Sequence, residues 1–113
     1  MTLSKNQVSG NTAMLILKLI SEKDMYGYEM IEALRLRSNH VFDLKAGTLY
    51  PLLHALEEQR WVVSYDETAD GGRVRRYYHL TADGRNALRE KEAEWAAYAE
   101  AVGRVLGGEP CGT

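Results

Sequence analysis

Lys45-Ala46-Gly47-Thr48-Leu49-Tyr50-Pro51-Leu52-Leu53-His54-Ala55-Leu56-Glu57-Glu58, with the strand-forming run after it, decides the fold. Leu49, Leu52, Leu53 and Leu56 fall at i, i+3, i+4 and i+7, the spacing of one buried helix face. Thr48 is placed to cap this helix, which puts Pro51 in a first turn where its missing N–H does no harm. Gly47, Pro51, His54 and Glu58 point away from the leucines, with Thr48 and Tyr50 on the flanks. The helix therefore offers small and hydrogen-bonding groups at its N-terminal end and carboxylates at its C-terminal end. Trp61-Val62-Val63-Ser64-Tyr65 and Arg75-Arg76-Tyr77-Tyr78-His79-Leu80 are rich in strand formers, and Asp70-Gly71-Gly72 marks a turn between them. In strand phase Arg76, Tyr78 and Leu80 share one face, and Arg75, Tyr77 and His79 the other. Tyr78 and Leu80 are core candidates on that basis.

Upstream, Met30, Ile31 and Leu34 give residues 28–37 a helical core face, entered through an Asp24-Met25-Tyr26-Gly27 turn. Residues 7–21 form the first helix, in which Ala13, Met14, Leu15, Ile16, Leu17, Leu19 and Ile20 are apolar on every side, interrupted only by Lys18. Such a helix is buried on more than one face, either at the centre of its own core or beneath a second copy. Downstream, Thr81 caps a last helix over residues 82–106, whose apolar stripe is Leu88, Trp95, Ala99, Val102 and Leu106. At 1.5 Å per residue it is about 37 Å long, more than a small domain can cover. Gly107-Gly108-Glu109-Pro110 stops it. The expected fold is mainly α with a small β hairpin: a winged helix-turn-helix over residues 1–81, a long C-terminal dimerisation helix over 82–107 and a loose tail over 108–113.

At 113 residues the chain supports one domain. It lacks the uncharged apolar run of roughly 20 residues that a bilayer span needs, and its N-terminus lacks a signal-peptide pattern. Its one cysteine, Cys111, cannot pair internally, which fits a reducing compartment and a cytoplasmic location. His40, His54, His79 and Cys111 show no metal-ligand spacing, and no nucleophile elbow or phosphate-binding glycine loop occurs, so neither metal, cofactor nor catalysis is expected. The net charge of −2 is unevenly distributed. Residues 71–85 carry Arg73, Arg75, Arg76 and Arg85 against the single acid Asp83. A segregated basic cluster can serve an acidic protein, because binding depends on the local field.

Three blocks together resemble the signature of PadR-type transcriptional regulators: Tyr26-Gly27-Tyr28-Glu29-Met30, Gly47-Thr48-Leu49-Tyr50-Pro51-Leu52-Leu53-x-x-Leu56-Glu57, and Gly72-Arg73-x-Arg75-Arg76-Tyr77-Tyr78-x-Leu80-Thr81-x-x-Gly84. The single C-terminal helix is similar to that of the smaller PadR subfamily; Trp61 and His54 depart from the commoner pattern. The resemblance implies a homodimeric repressor on a pseudo-palindromic double-stranded DNA operator. A helix-turn-helix protein sets the N-terminal part of its second motif helix in the major groove. That end carries Lys45, Gly47, Thr48, Tyr50, Pro51 and His54, with Thr48 read as cap or contact, Tyr50 as packing or contact, and His54 as solvated or reading a base. Arg73, Arg75 and Arg76 on the wing are phosphate candidates, and the Tyr26 hydroxyl a further one. Tyr28 reads as packing. The dimer is expected to use Met14 and Leu17 of the first helix with Leu88, Trp95, Ala99, Val102 and Leu106 of the last. Trp95 reads as a packing residue of that interface or, since some small PadR-type proteins accept flat aromatic molecules between such tryptophans, as a candidate with Ala99 for a planar effector. The alternative is a winged-helix module that binds protein rather than DNA.

Overall fold

The structure, a computed structural model, describes residues 5–107, and side-chain surroundings from residue 11 onward. The tail at 108–113, with Cys111, lies outside the described residues. In chain order the elements are α1 (Lys5–Glu22), β1 (Met25–Tyr26), α2 (Gly27–Arg37), α3 (Ala46–Glu58), β2 (Val62–Thr68), a 3-10 turn (Asp70–Gly72), β3 (Val74–Leu80) and α4 (Ala82–Val105).

The first helix is buried by its own chain. Ala13, Ile16, Leu17, Leu19 and Ile20 are all buried, while Met14 and Leu15 remain partly open. They pack with Met30 of α2, Leu49 and Leu53 of α3, and Val62 and Leu80 of the sheet. Burying each such aliphatic side chain is worth about 1.5–3 kcal/mol. From residue 13 to residue 20 the helix has the central place in its own chain's core, with α2, α4 and β3 packed against it.

The expected hairpin is part of a three-stranded antiparallel sheet in the order β1-β3-β2. Met25 pairs with Tyr78 and Tyr26 with Tyr77. A two-residue strand between Asp24 and Gly27 is too short to show any periodicity, so the segment reads as a turn. The wing returns through Gly71 and Gly72 at φ 82° and 78°, which only glycine adopts without strain.

The cap of helix α3 lies three residues before the expected one. Lys45 is its N-cap, and the Lys45 carbonyl accepts from the N–H groups of Thr48 (3.0 Å) and Leu49 (2.9 Å). Thr48 thus lies inside the first turn and caps nothing, and Pro51 moves into the second turn. Thr81 does cap α4: its Oγ1 accepts from the Gly84 N–H at 3.0 Å and lies 2.7 Å from the Arg60 carbonyl it donates to. Only the first turns of α4 meet the core, through Gly84, Ala87 and Leu88. Beyond Lys91 the helix projects, and the molecule measures 56 × 29 × 26 Å.

The solvent-facing side of the sheet is tied together by Asp24. Its carboxylate lies 2.8 Å from His79 Nδ1 and accepts from the Tyr65 hydroxyl at 2.7 Å. Burial pushes the Asp24 carboxyl up, but the bonds from Tyr65 and His79 outweigh it and hold it below its ordinary value. The same bond pushes the Tyr65 hydroxyl up to about 12 from 10.0. A raised folded-state pKa means that this contribution to stability is complete below pH 10.0 and is lost as pH rises through about 12. Ultraviolet difference titration is expected to show Tyr65 ionising near 12, and Asp24→Asn to return it toward 10.0. An unchanged titration in the variant would refute the link.

Candidate nucleic-acid interface

Strand β1 delivers Tyr26 to the start of α2, where its backbone N–H donates to Glu29 Oε1 at 3.3 Å. Gly27 follows, buried under the Tyr50 ring. A Cβ at Gly27 would collide with the Tyr50 hydroxyl oxygen and stand 2.9 Å from Cζ. Tyr50 thereby ties the N-terminal ends of α2 and α3 together, with Gly27 as its seat. It still keeps 39% of its surface open. The packing reading of Tyr50 is thus met at Gly27, and the exposed part of the ring leaves the contact reading available.

The wing brings its three arginines to the same place, two of them engaged and one not. Arg75 lies over the Tyr26 ring, 4.5 Å from its centroid, and Tyr26 packs edge-on to Tyr77 at 5.5 Å. Arg76 pairs across the strands with Asp66, Nε to Oδ1 3.2 Å. The Arg73 guanidinium has no hydrogen-bond or ion-pair partner among the described residues, so it is free for an anion.

Between these groups lies an open cleft of about 580 Å³. Six expected residues line it: Tyr26, Tyr50, His54, Arg73, Arg75 and Arg76. Lys45, Gly47, Thr48 and Pro51 are exposed on the same helix but outside the cleft lining. Lys45 Nζ is 2.9 Å from Asp43, whose carboxyl it holds below the usual range. The cleft also includes Gly27, Tyr28, Val74 and Tyr78. Tyr28 is 70% exposed, so it is not the packing residue expected. Its angular position off the Met30/Leu34 face was the available signal. Glu57 turns away from the cleft to accept the Ser64 hydroxyl at 2.9 Å. The site is thus a cationic, aromatic-walled groove between the exposed face of a helix and a strand pair.

The chain matches the transcriptional regulator PadR-like family over residues 16–90. It belongs to that family. A mycobacterial relative described as transcriptional regulator Rv3488, from Mycobacterium tuberculosis, is 37% identical over 83% of this chain and 81% of its own length. Among solved structures, a transcriptional regulator from Clostridium thermocellum superposes with a TM-score of 0.81 at 27% identity, covering 91% of this chain and 97% of that one. A PadR family regulator from Eggerthella lenta has a TM-score of 0.72 at 34% identity, covering 89% and 82%. These relatives are regulators of transcription, not enzymes, and the fold of this PadR-type protein is theirs.

The residues expected at a PadR-type dimer interface divide into two groups. Leu17 and Leu88 are buried in the core of one chain, at 0% and 5% exposure, and have no surface to give a partner. Periodicity could not separate Leu88 from the α4 stripe, because core and overhang share one face of that helix, nor Leu17 from its neighbours in a run of α1 that is apolar on every side. Trp95, Val102 and Leu106 are exposed, while Met14 and Ala99 are half-buried. Trp95 stands 6.0 Å from the Tyr98 ring. An apolar hollow of about 230 Å³ lies beyond it, among Tyr98, Ala101, Val102, Val105 and Leu106. Neither Trp95 nor Ala99 lines that hollow. Among the described residues no helix is long and apolar enough to cross a membrane, and no cluster could hold a metal ion.

Proposed function

We propose that this regulator is a cytoplasmic repressor that binds a pseudo-palindromic operator as a homodimer. The observation that carries the DNA reading is the cleft: Tyr50 and His54 of α3 face the same open groove as Arg73, Arg75 and Arg76 of the wing. Exposed Thr48 and His54 suit base edges in a major groove, and the wing arginines suit phosphates on either side. The dimer reading is supported by the stripe of Trp95, Val102 and Leu106 that the chain leaves open, with Met14 beside the core. Two copies joined there would place two reading helices on half-sites a helical turn, or a multiple of it, apart. Anisotropy titration against the DNA upstream of the protein's own gene is expected to saturate at two chains per duplex. Absence of any duplex binding would defeat the reading and favour a protein-binding module.

Release by a planar aromatic effector is part of the same proposal. Trp95 is 46% exposed and lies on the stripe beside the small Ala99, so a flat molecule has an aromatic surface to stack on. Such a ligand acts only through its different affinity for two arrangements of the dimer. Trp61 also emits, which makes Trp95→Ala the control. Fluorescence quenching by planar dyes is expected to vanish in that variant, and quenching that survives it would remove Trp95 from the role.

A further inference from the structure

Asp66 and Arg76 face one another across the β2–β3 ladder, and both side chains are more than half exposed. The pair adds little to folding, since exposed ion pairs in water stabilise weakly. Its position is more informative than its strength. Arg76 lines the cleft beside His54 and Tyr50, whereas Asp66 does not, so the carboxylate holds the guanidinium from outside the groove. We propose that Asp66 limits the sequence-independent part of DNA binding: it competes with DNA phosphate for Arg76 and so holds down the affinity for any duplex. This inference rests on the DNA reading above.

The chemistry is an exchange of one oxyanion for another. A phosphate that takes Arg76 must displace the Asp66 carboxylate, which then stands unpaired near the incoming polyanion and repels it. The carboxylate also cancels the charge of Arg76 as seen from a distance, which lowers the field that draws DNA in before contact. Arg73 has no such competitor among the described residues, and Arg75 rests on the Tyr26 ring. The three arginines are thus graded in availability, and Asp66 sets the lowest grade. Glu67 opposes Arg75 in the same ladder but is not ion-paired to it, and supplies a control of equal formal charge.

The test compares the whole protein with Asp66→Asn and Glu67→Gln on a short duplex of random sequence, across about 50 to 200 mM salt. Asp66→Asn is expected to tighten binding about two- to fivefold, the range an exposed ion pair spans, and to steepen the salt slope by about 0.9, one more phosphate. Glu67→Gln is expected to tighten binding less and leave the slope unchanged. In an Arg76→Ala background Asp66→Asn should have no more effect than Glu67→Gln. Thermal melting of Asp66→Asn should match wild type, so that the change in binding is read on an equally stable protein. Weaker binding by Asp66→Asn would overturn the proposal, because Asp66 would then orient Arg76 for DNA rather than withhold it. An unchanged slope would overturn it too. If the wild-type protein binds no duplex, the DNA reading itself fails, an outcome separable from either.

Discussion

Ending the chain at Lys91 is expected to leave a folded monomer whose operator affinity falls by about a hundredfold or more. The cut removes Trp95, Val102 and Leu106, the exposed part of the stripe, and spares Gly84, Ala87 and Leu88, which the core needs. A monomer engages one half-site and loses the second as an intramolecular event, a loss of about 10² to 10⁴ in avidity. A cut after Asn86 would take Ala87 and Leu88 as well, and would confound loss of the dimer with damage to the core. Light scattering and circular dichroism read the two outcomes separately. A shortened protein that stays dimeric would place the interface elsewhere, and one that fails to fold would show that the overhang is part of the core.

Gly84→Ala is expected to destabilise the fold by about 3 kcal/mol, the upper end for overpacking a tight site. The added methyl would collide with the Trp61 carbonyl oxygen and stand 2.6 Å from Leu80 Cδ1. The first obstacle is backbone and cannot rotate aside. It is also fixed by the Thr81 N–H, which donates to the same oxygen at 3.0 Å. Thr81→Ala, which removes only the cap, should cost about 1 kcal/mol. Urea denaturation would show this order, and equal stability of Gly84→Ala and wild type would mean that α4 can shift away from the sheet at little cost.

The third signature block thus has a physical content that the sequence alone does not display. Gly84 is where a helix enters against a strand, just as Gly27 is where a tyrosine seats against a helix. What was legible came from strong periodic signals. The Tyr78/Leu80 phase and the Thr81 cap stand as read, and of the Leu49/Leu52/Leu53/Leu56 face all but the half-buried Leu52 are fully in the core. What was not legible depends on tertiary neighbours. Strand β1 exists because β3 offers it an edge, and two residues carry no period. The start of α3 is set by the Lys45 carbonyl rather than by the better-looking cap at Thr48. Leu17 and Leu88 were indistinguishable from interface residues until the chain was seen to bury them itself. At the site, residue types pointed to Tyr26, His54 and the arginines, while the exposure of Tyr28 and the engagement of Arg76 by Asp66 needed the folded chain.

The central claim is that the cleft between α3 and the wing holds duplex DNA through its arginines. Its most direct test is the dependence of duplex affinity on salt for the wild-type protein, Arg73→Ala and Arg75→Ala. Each neutralised phosphate contributes about −0.9 to the slope of log affinity against log salt. Each variant is expected to weaken binding on every duplex, whatever its sequence, and to reduce that slope by about one. Wild-type affinity and wild-type slope in both variants would contradict the claim.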